Sequence, residues 1–111
     1  MTAALSKQGT PLGPIATKVV FENDHLRVWA LELGPKGHQP LHEHHLPYLI
    51  VPLSEGKSIM RWEDGRTREL TDKPGDVKYR ESGDGPHELF NLEDADLRSI
   101  LVEVKTAGPR G

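Results

Sequence analysis

Turn signals cut this chain about every ten residues, and no stretch between them keeps a helical period over ten or more positions. Val19-Val20-Phe21-Glu22 runs into Asn23-Asp24, a pair whose side chains favour turns by bonding their own backbone. In Arg27-Val28-Trp29-Ala30-Leu31-Glu32-Leu33, the side chains of Trp29, Leu31 and Leu33 share one face, as in a half-buried strand. Gly34-Pro35-Lys36-Gly37 ends that strand. The next extended stretch is His42 to Leu53, where Pro47 and Pro52 argue against a regular central strand throughout. Asp64-Gly65, between Ser58 to Trp62 and Arg66 to Leu70, is a hairpin signal. Lys73-Pro74-Gly75-Asp76 turns before Val77 to Arg80, and Ser82 to Pro86 forms a loop. His87 to Asn91 is extended, Glu93 to Asp96 turns, and Leu97 to Lys105 is the last strand. About eight short strands at this spacing predict an all-β chain closed as a sandwich or barrel.

The length of 111 residues suits one domain with one modest core. Residues 1–18 hold Gly9, Pro11, Gly13 and Pro14 and read as an extended arm, disordered or draped on the body. Residues 19–105 form the β domain, and 106–111 read as a frayed tail. With 14 basic and 17 acidic residues, the chain lacks the cationic excess that nucleic-acid binding usually needs. No apolar run approaches the length of a membrane span, and no secretory signal is visible. The absence of cysteine excludes disulfides and thiol chemistry and is compatible with a cytoplasmic setting.

Chemistry concentrates in His42-Glu43-His44 and, 43 residues after His44, in His87. Two histidines one residue apart on an extended strand point to one face, so their imidazoles can close on one ion. His87 would bring a third neutral nitrogen donor. Catalytic zinc and non-haem iron sites commonly use three protein ligands and leave positions open.

The run Gly37-His38-Gln39-Pro40-Leu41-His42-Glu43-His44-His45, then Tyr48 to Leu53 and Gly56, resembles the first motif of the cupins. Pro74-Gly75-Asp76, Gly83 and His87-x-x-x-Asn91 resemble the second. The chain is similar in particular to short single-domain bacterial cupins associated with β-alanine degradation, over roughly Phe21 to Lys105. The resemblance implies an RmlC-like jelly roll, a double-stranded β-helix, with His42, His44 and His87 facing inward to hold one divalent metal ion. Iron, zinc, nickel, copper and manganese all tolerate imidazole, so the ion's identity stays open. The resemblance also implies a homodimer, in which the N-terminal arm could be swapped onto the partner's sheet.

Two departures stand out. Tyr48 occupies the place where the first motif usually supplies a glutamate ligand. Glu81 replaces a usual proline, and the loop to His87 is one residue longer than standard. Without a carboxylate ligand the metal would keep its full charge and favour a small anionic, carboxylate-bearing ligand.

Tyr48 shares the strand parity of His42 and His44 and is the catalytic candidate, as a weak metal ligand or as a hydrogen-bond donor to substrate. It reads equally well as a core tyrosine with a satisfied hydroxyl. Trp29, Ile50, Met60, Trp62 and Leu89 are the candidate pocket residues. His45 is expected to face out or sit at the barrel mouth, His38 in a loop, and His25 on the surface. Glu43 and Glu88 alternate away from the histidines. Arg61, Arg66 and Arg68 read as a solvated face. One functional expectation is a metal-dependent enzyme, oxygenase-like or a Lewis-acid isomerase or lyase. The other is a non-catalytic module that binds a small molecule or metal. Phosphate-binding glycine loops and serine-nucleophile turns are absent.

Overall fold

The computed structural model describes residues 5, 6, 9 and 11–105, and these contain nine strands and no helix. The expected tail, 106–111, and residues 1–4, 7, 8 and 10 of the expected arm lie outside the described residues. The strands are β1 Lys18–Glu22, β2 Leu26–Leu33, β3 His38–His42, β4 Tyr48–Pro52, β5 Gly56–Trp62, β6 Thr67–Asp72, β7 Lys78–Arg80, β8 His87–Asn91 and β9 Leu97–Val104. They form two sheets, in the orders β1-β2-β9-β4-β7 and β3-β8-β5-β6. Every pairing is antiparallel. Only β1–β2 and β5–β6 pair with a sequence neighbour; each of the other connections carries the chain from one sheet to the other. This is jelly-roll wrapping, in which two sheets share a core that neither could bury alone.

The strand alternation read from the sequence is physically present. Along β9, Leu97, Ser99, Leu101 and Glu103 are buried, while the residues between them are exposed or half-buried. Leu31, Met60, Trp62, Leu89, Leu97 and Leu101 form the heart of the core between the sheets. The hairpin falls where Asp64-Gly65 predicts it, with Gly65 at φ 98° supplying the left-handed turn residue.

The stretch from His42 to Leu53 departs from expectation. It is two strands, one in each sheet, separated by residues 43–47. The first of these, β3, begins at His38, a residue expected in a loop. Pro47 has no N–H for a ladder, but its carbonyl accepts from Val104 N at 2.9 Å, which anchors the entry to β4.

A one-residue irregularity in β3 matters for the site. Gln39 pairs with Leu89 and His42 with His87, so three steps on β3 oppose two on β8. Strict alternation from the buried Gln39 would turn His42 outward; the extra residue restores it to the inner face. Leu41 and His42 are consequently buried side by side. Pro40 sits within this bulge, a position where a missing donor is tolerated.

The described arm residues lie against their own chain. Gly13 N donates to Leu41 O at 2.8 Å, Gln39 Nε2 donates to Ile15 O at 2.7 Å, and Ala16 joins the core.

Candidate metal centre

Sheet register brings two of the three histidines together. His42 on β3 lies directly opposite His87 on β8, and His87 lies opposite Trp62 on β5. Opposed residues of an antiparallel pair share a face, so the rings meet: centroids are 4.5 Å apart for His42–His87 and 5.8 Å for Trp62–His87. His44 arrives differently. It lies in the crossing between β3 and β4, outside any strand, and stacks on Tyr48 with centroids 3.9 Å apart and planes at 11°. The expected shared strand parity of His42, His44 and Tyr48 is therefore corrected, although all three side chains are buried. One ring nitrogen from each of His42, His44 and His87 lies within 4.8 Å of the others.

Backbone carbonyls orient two of these rings. His42 Nδ1 is 2.8 Å from Pro40 O, and His87 Nδ1 is 3.3 Å from Gly85 O. A carbonyl only accepts, so Nδ1 carries the proton in both rings and Nε2 keeps a free lone pair. His44 Nδ1 is buried without a partner. Burial, first of all, pushes the three imidazoles below their ordinary pKa. His44 is held down at about 2 by burial and then by His42, His87 and Arg80; His87 is held at about 4, chiefly by burial and then by His42; His42 is lowered by burial. All three are neutral at neutral pH, the form that binds metals. Three convergent neutral imidazoles, two with their tautomer set by the backbone, fit a divalent metal of borderline softness.

No carboxylate joins this cluster among the described residues. Tyr48, in place of a glutamate, has its phenol pushed up to about 12 by burial. It stays protonated and can donate a hydrogen bond, but it is no base at neutral pH.

The histidines and Tyr48 line an inner cavity of about 50 Å³, walled further by Ile50, Met60 and Leu89. The two tryptophans expected on that wall are elsewhere. Trp62 is core beside His87, and its Nε1 donates to Asp84 Oδ2 at 3.0 Å; Trp29 Nε1 donates to Glu103 Oε1 at 2.6 Å. An indole N–H taken out of water needs a partner, and each ring finds a carboxylate, while neither lines the cavity.

His25, His38 and His45 are exposed and stay apart from the cluster. His38 pairs with Glu88 at 2.8 Å and stacks on Phe90. Glu88 also accepts from Arg61, on the outer face of its sheet, and its carboxyl is held below the usual range by Arg61 and His38 against the opposing effect of burial. Asn91 shares His87's face but works as a clamp: its amide donates to Gly34 O at 2.9 Å and Ala95 O at 2.8 Å, and its oxygen accepts from Glu93 N at 3.0 Å.

Sequence reasoning passed over Leu31, Leu97, Leu101, Lys78 and Arg80, all on the cavity wall. The alternation of β9 was a usable signal for Leu97 and Leu101. Three-residue β7 offered none for Arg80.

No family model and no curated protein matches the sequence. Solved structures do match. A cupin domain from Bordetella pertussis Tohama I aligns with TM-score 0.72 at 20% identity, covering 85% of this chain and all of that one. The polyketide cyclase RemF from Streptomyces resistomycificus aligns with TM-score 0.56 at 26% identity, covering 78% of this chain and 59% of that one. The DMSP lyase DddQ from Ruegeria pomeroyi DSS-3 aligns with TM-score 0.54 at 18% identity, over 79% of this chain and 42% of that one. With its two-sheet wrapping and these neighbours, the chain has the double-stranded β-helix fold of the RmlC-like cupins.

Proposed function

We propose that this chain binds one divalent metal ion through His42, His44 and His87 and acts as a small metal-dependent enzyme on a compact anionic metabolite. The carrying observation is the convergence of three buried, neutral imidazoles within 4.8 Å on the wall of a small, largely apolar cavity. A bound ion there would supply Lewis-acid polarisation of a substrate carbonyl, and iron would add redox chemistry. The chain's own residues do the rest. Pro40 O and Gly85 O fix the His42 and His87 rings. Leu89, Met60 and Ile50 keep water from the substrate's apolar part. The protonated Tyr48 hydroxyl orients a substrate oxygen.

The proposal favours isomerase-, cyclase- or lyase-like chemistry over an oxygenase. Two enzymes that share the fold, named above as a polyketide cyclase and a DMSP lyase, support that preference. One observation favours a second reading, a non-catalytic binding module: Tyr48, at about 12, is a poor proton shuttle at neutral pH.

A homodimer in the cytoplasm completes the proposal. Supporting the dimer, β1 is an edge strand whose Val20 and Phe21 are 51% and 53% exposed, and exposed apolar edges invite pairing. No helix among the described residues is long and apolar enough to cross a membrane.

The test is metal content by mass spectrometry on protein purified without chelator, beside the double variant His42→Ala/His87→Ala. About one ion per chain, lost in the variant, is expected. No ion in the parent, even after anaerobic reconstitution with iron(II), zinc or nickel, sinks the metalloenzyme reading.

A further inference from the structure

The cavity holds a cation that the three histidines do not use. Arg80 ends β7 directly opposite Tyr48 of β4, so both side chains leave the same face of the sheet, toward the histidines. Arg80, Tyr48, Met60 and His87 line both the inner cavity and a wider outer mouth of about 380 Å³. They form the neck between the two. The charge of Arg80 is felt at His44, His87 and Tyr48.

Among the described residues, no hydrogen bond or ion pair to that guanidinium is found. Arg80 Nε is buried without a hydrogen bond, a condition shared, among the described residues, only with His44 Nδ1. A buried cationic N–H left unsatisfied is costly, and surrounding acidic groups would normally relieve it. Here they are committed elsewhere. Asp72 pairs with Lys78 Nζ at 3.2 Å, Glu81 accepts from the Tyr79 hydroxyl at 2.8 Å, and Asp84 accepts from Trp62 Nε1 at 3.0 Å, with Arg66 at 3.8 Å. Lys78, two residues earlier on the same face, shows the contrast: its ammonium is satisfied by Asp72 and by Thr71 O.

We propose that Arg80, with the Tyr48 hydroxyl, is a carboxylate-recognition site in the cavity neck, and that the ligand is a short aliphatic acid whose hydrocarbon part enters the inner cavity beside the histidines. The proposal rests on reading the three histidines as a ligand-binding centre. The fork of a guanidinium matches the two oxygens of a carboxylate. Tyr48 adds a third donor next to the His44 ring. At about 50 Å³, the inner cavity has room for about four water-sized positions, which limits the ligand to a few carbons.

The experiment titrates butyrate, butyramide and inorganic phosphate into wild type, Arg80→Met and Arg80→Lys, each metal-free and zinc-loaded, followed by amide NMR shifts. Zinc content is measured on every sample, and the dispersed spectrum reports folding. Butyrate is expected to bind wild type, about tenfold or more weaker in Arg80→Met and intermediate in Arg80→Lys, while zinc still loads in both variants. Butyramide is expected to bind wild type as weakly as butyrate binds Arg80→Met. Equal butyrate affinity in wild type and Arg80→Met, with zinc loading intact, overturns the carboxylate site and leaves the metal centre standing. Arg80-dependent butyrate binding in protein that takes up no zinc supports the site while the metal reading fails. Phosphate binding more tightly than butyrate, butyramide matching butyrate, or no butyrate binding to wild type also overturns it.

Discussion

Protonating His44 places a charge beside two other imidazoles and the Arg80 guanidinium, within a wall that is mostly hydrocarbon. The unfolded chain accepts these protons near the ordinary imidazole value of 6.5, whereas the folded chain resists them until about 4 at His87 and about 2 at His44. Between those limits the unfolded state binds more protons, so stability falls as pH drops. The metal-free protein is expected to lose stability progressively below pH 6.5, by up to about 1.4 kcal/mol per pH unit for each such histidine. Urea unfolding from pH 7.5 to 4.5 measures this, and a flat profile would refute neutral burial of the rings. The three histidines were legible through the motif resemblance, while the spacing argument failed for His44, which lies outside any strand. Arg80 was not, because an arginine on a three-residue strand looks like any surface cation until its cross-strand neighbour is known.

Among the elements, Asn91 at the end of β8 ties the turn after β2 to the turn before β9. Asn91→Leu would leave Gly34 O, Ala95 O and Glu93 N without their partner. Gly34 and Ala95 are exposed, so water can take up their carbonyls, and a loss of about 1–3 kcal/mol is expected by urea denaturation, with zinc still bound in the folded fraction. Gly56, at the start of β5, is a second tight point. A Cβ there would meet Leu97 Cδ1 at 2.5 Å, and Leu97 is only 2% exposed and has little room to yield. Gly56→Ala is therefore expected to cost about 1–3 kcal/mol, read as a lower Tm in a calorimetric scan. Strand positions and the Asp64-Gly65 hairpin followed from local alternation and turn chemistry. The break between β3 and β4 did not, since His42 to Leu53 reads as one extended run until two sheets compete for its halves.

For the whole molecule, the outer face of the five-stranded sheet carries rows of apolar side chains. Val28 pairs with Val102 and Val102 with Leu49; Ala30 pairs with Ile100 and Ile100 with Val51. These residues are half-buried, and Phe21 on the edge strand extends the first row. If this face joins two copies, Val102→Glu converts dimer to monomer in sedimentation velocity while metal content stays unchanged. A wild-type monomer at micromolar concentration would refute the dimer. Taken alone, the sequence determined the all-β class and most strand positions, because alternation and turn residues are local signals; it offered the three histidines through their motif context. Tertiary structure alone decided that a bulge at Pro40–Leu41 turns His42 inward, that His44 reaches the cluster from a sheet crossing, that both tryptophans leave the cavity wall, and that Arg80 enters its neck. Each of these depends on pairing between residues far apart in the chain, whose register is set by the packing of two sheets on one core.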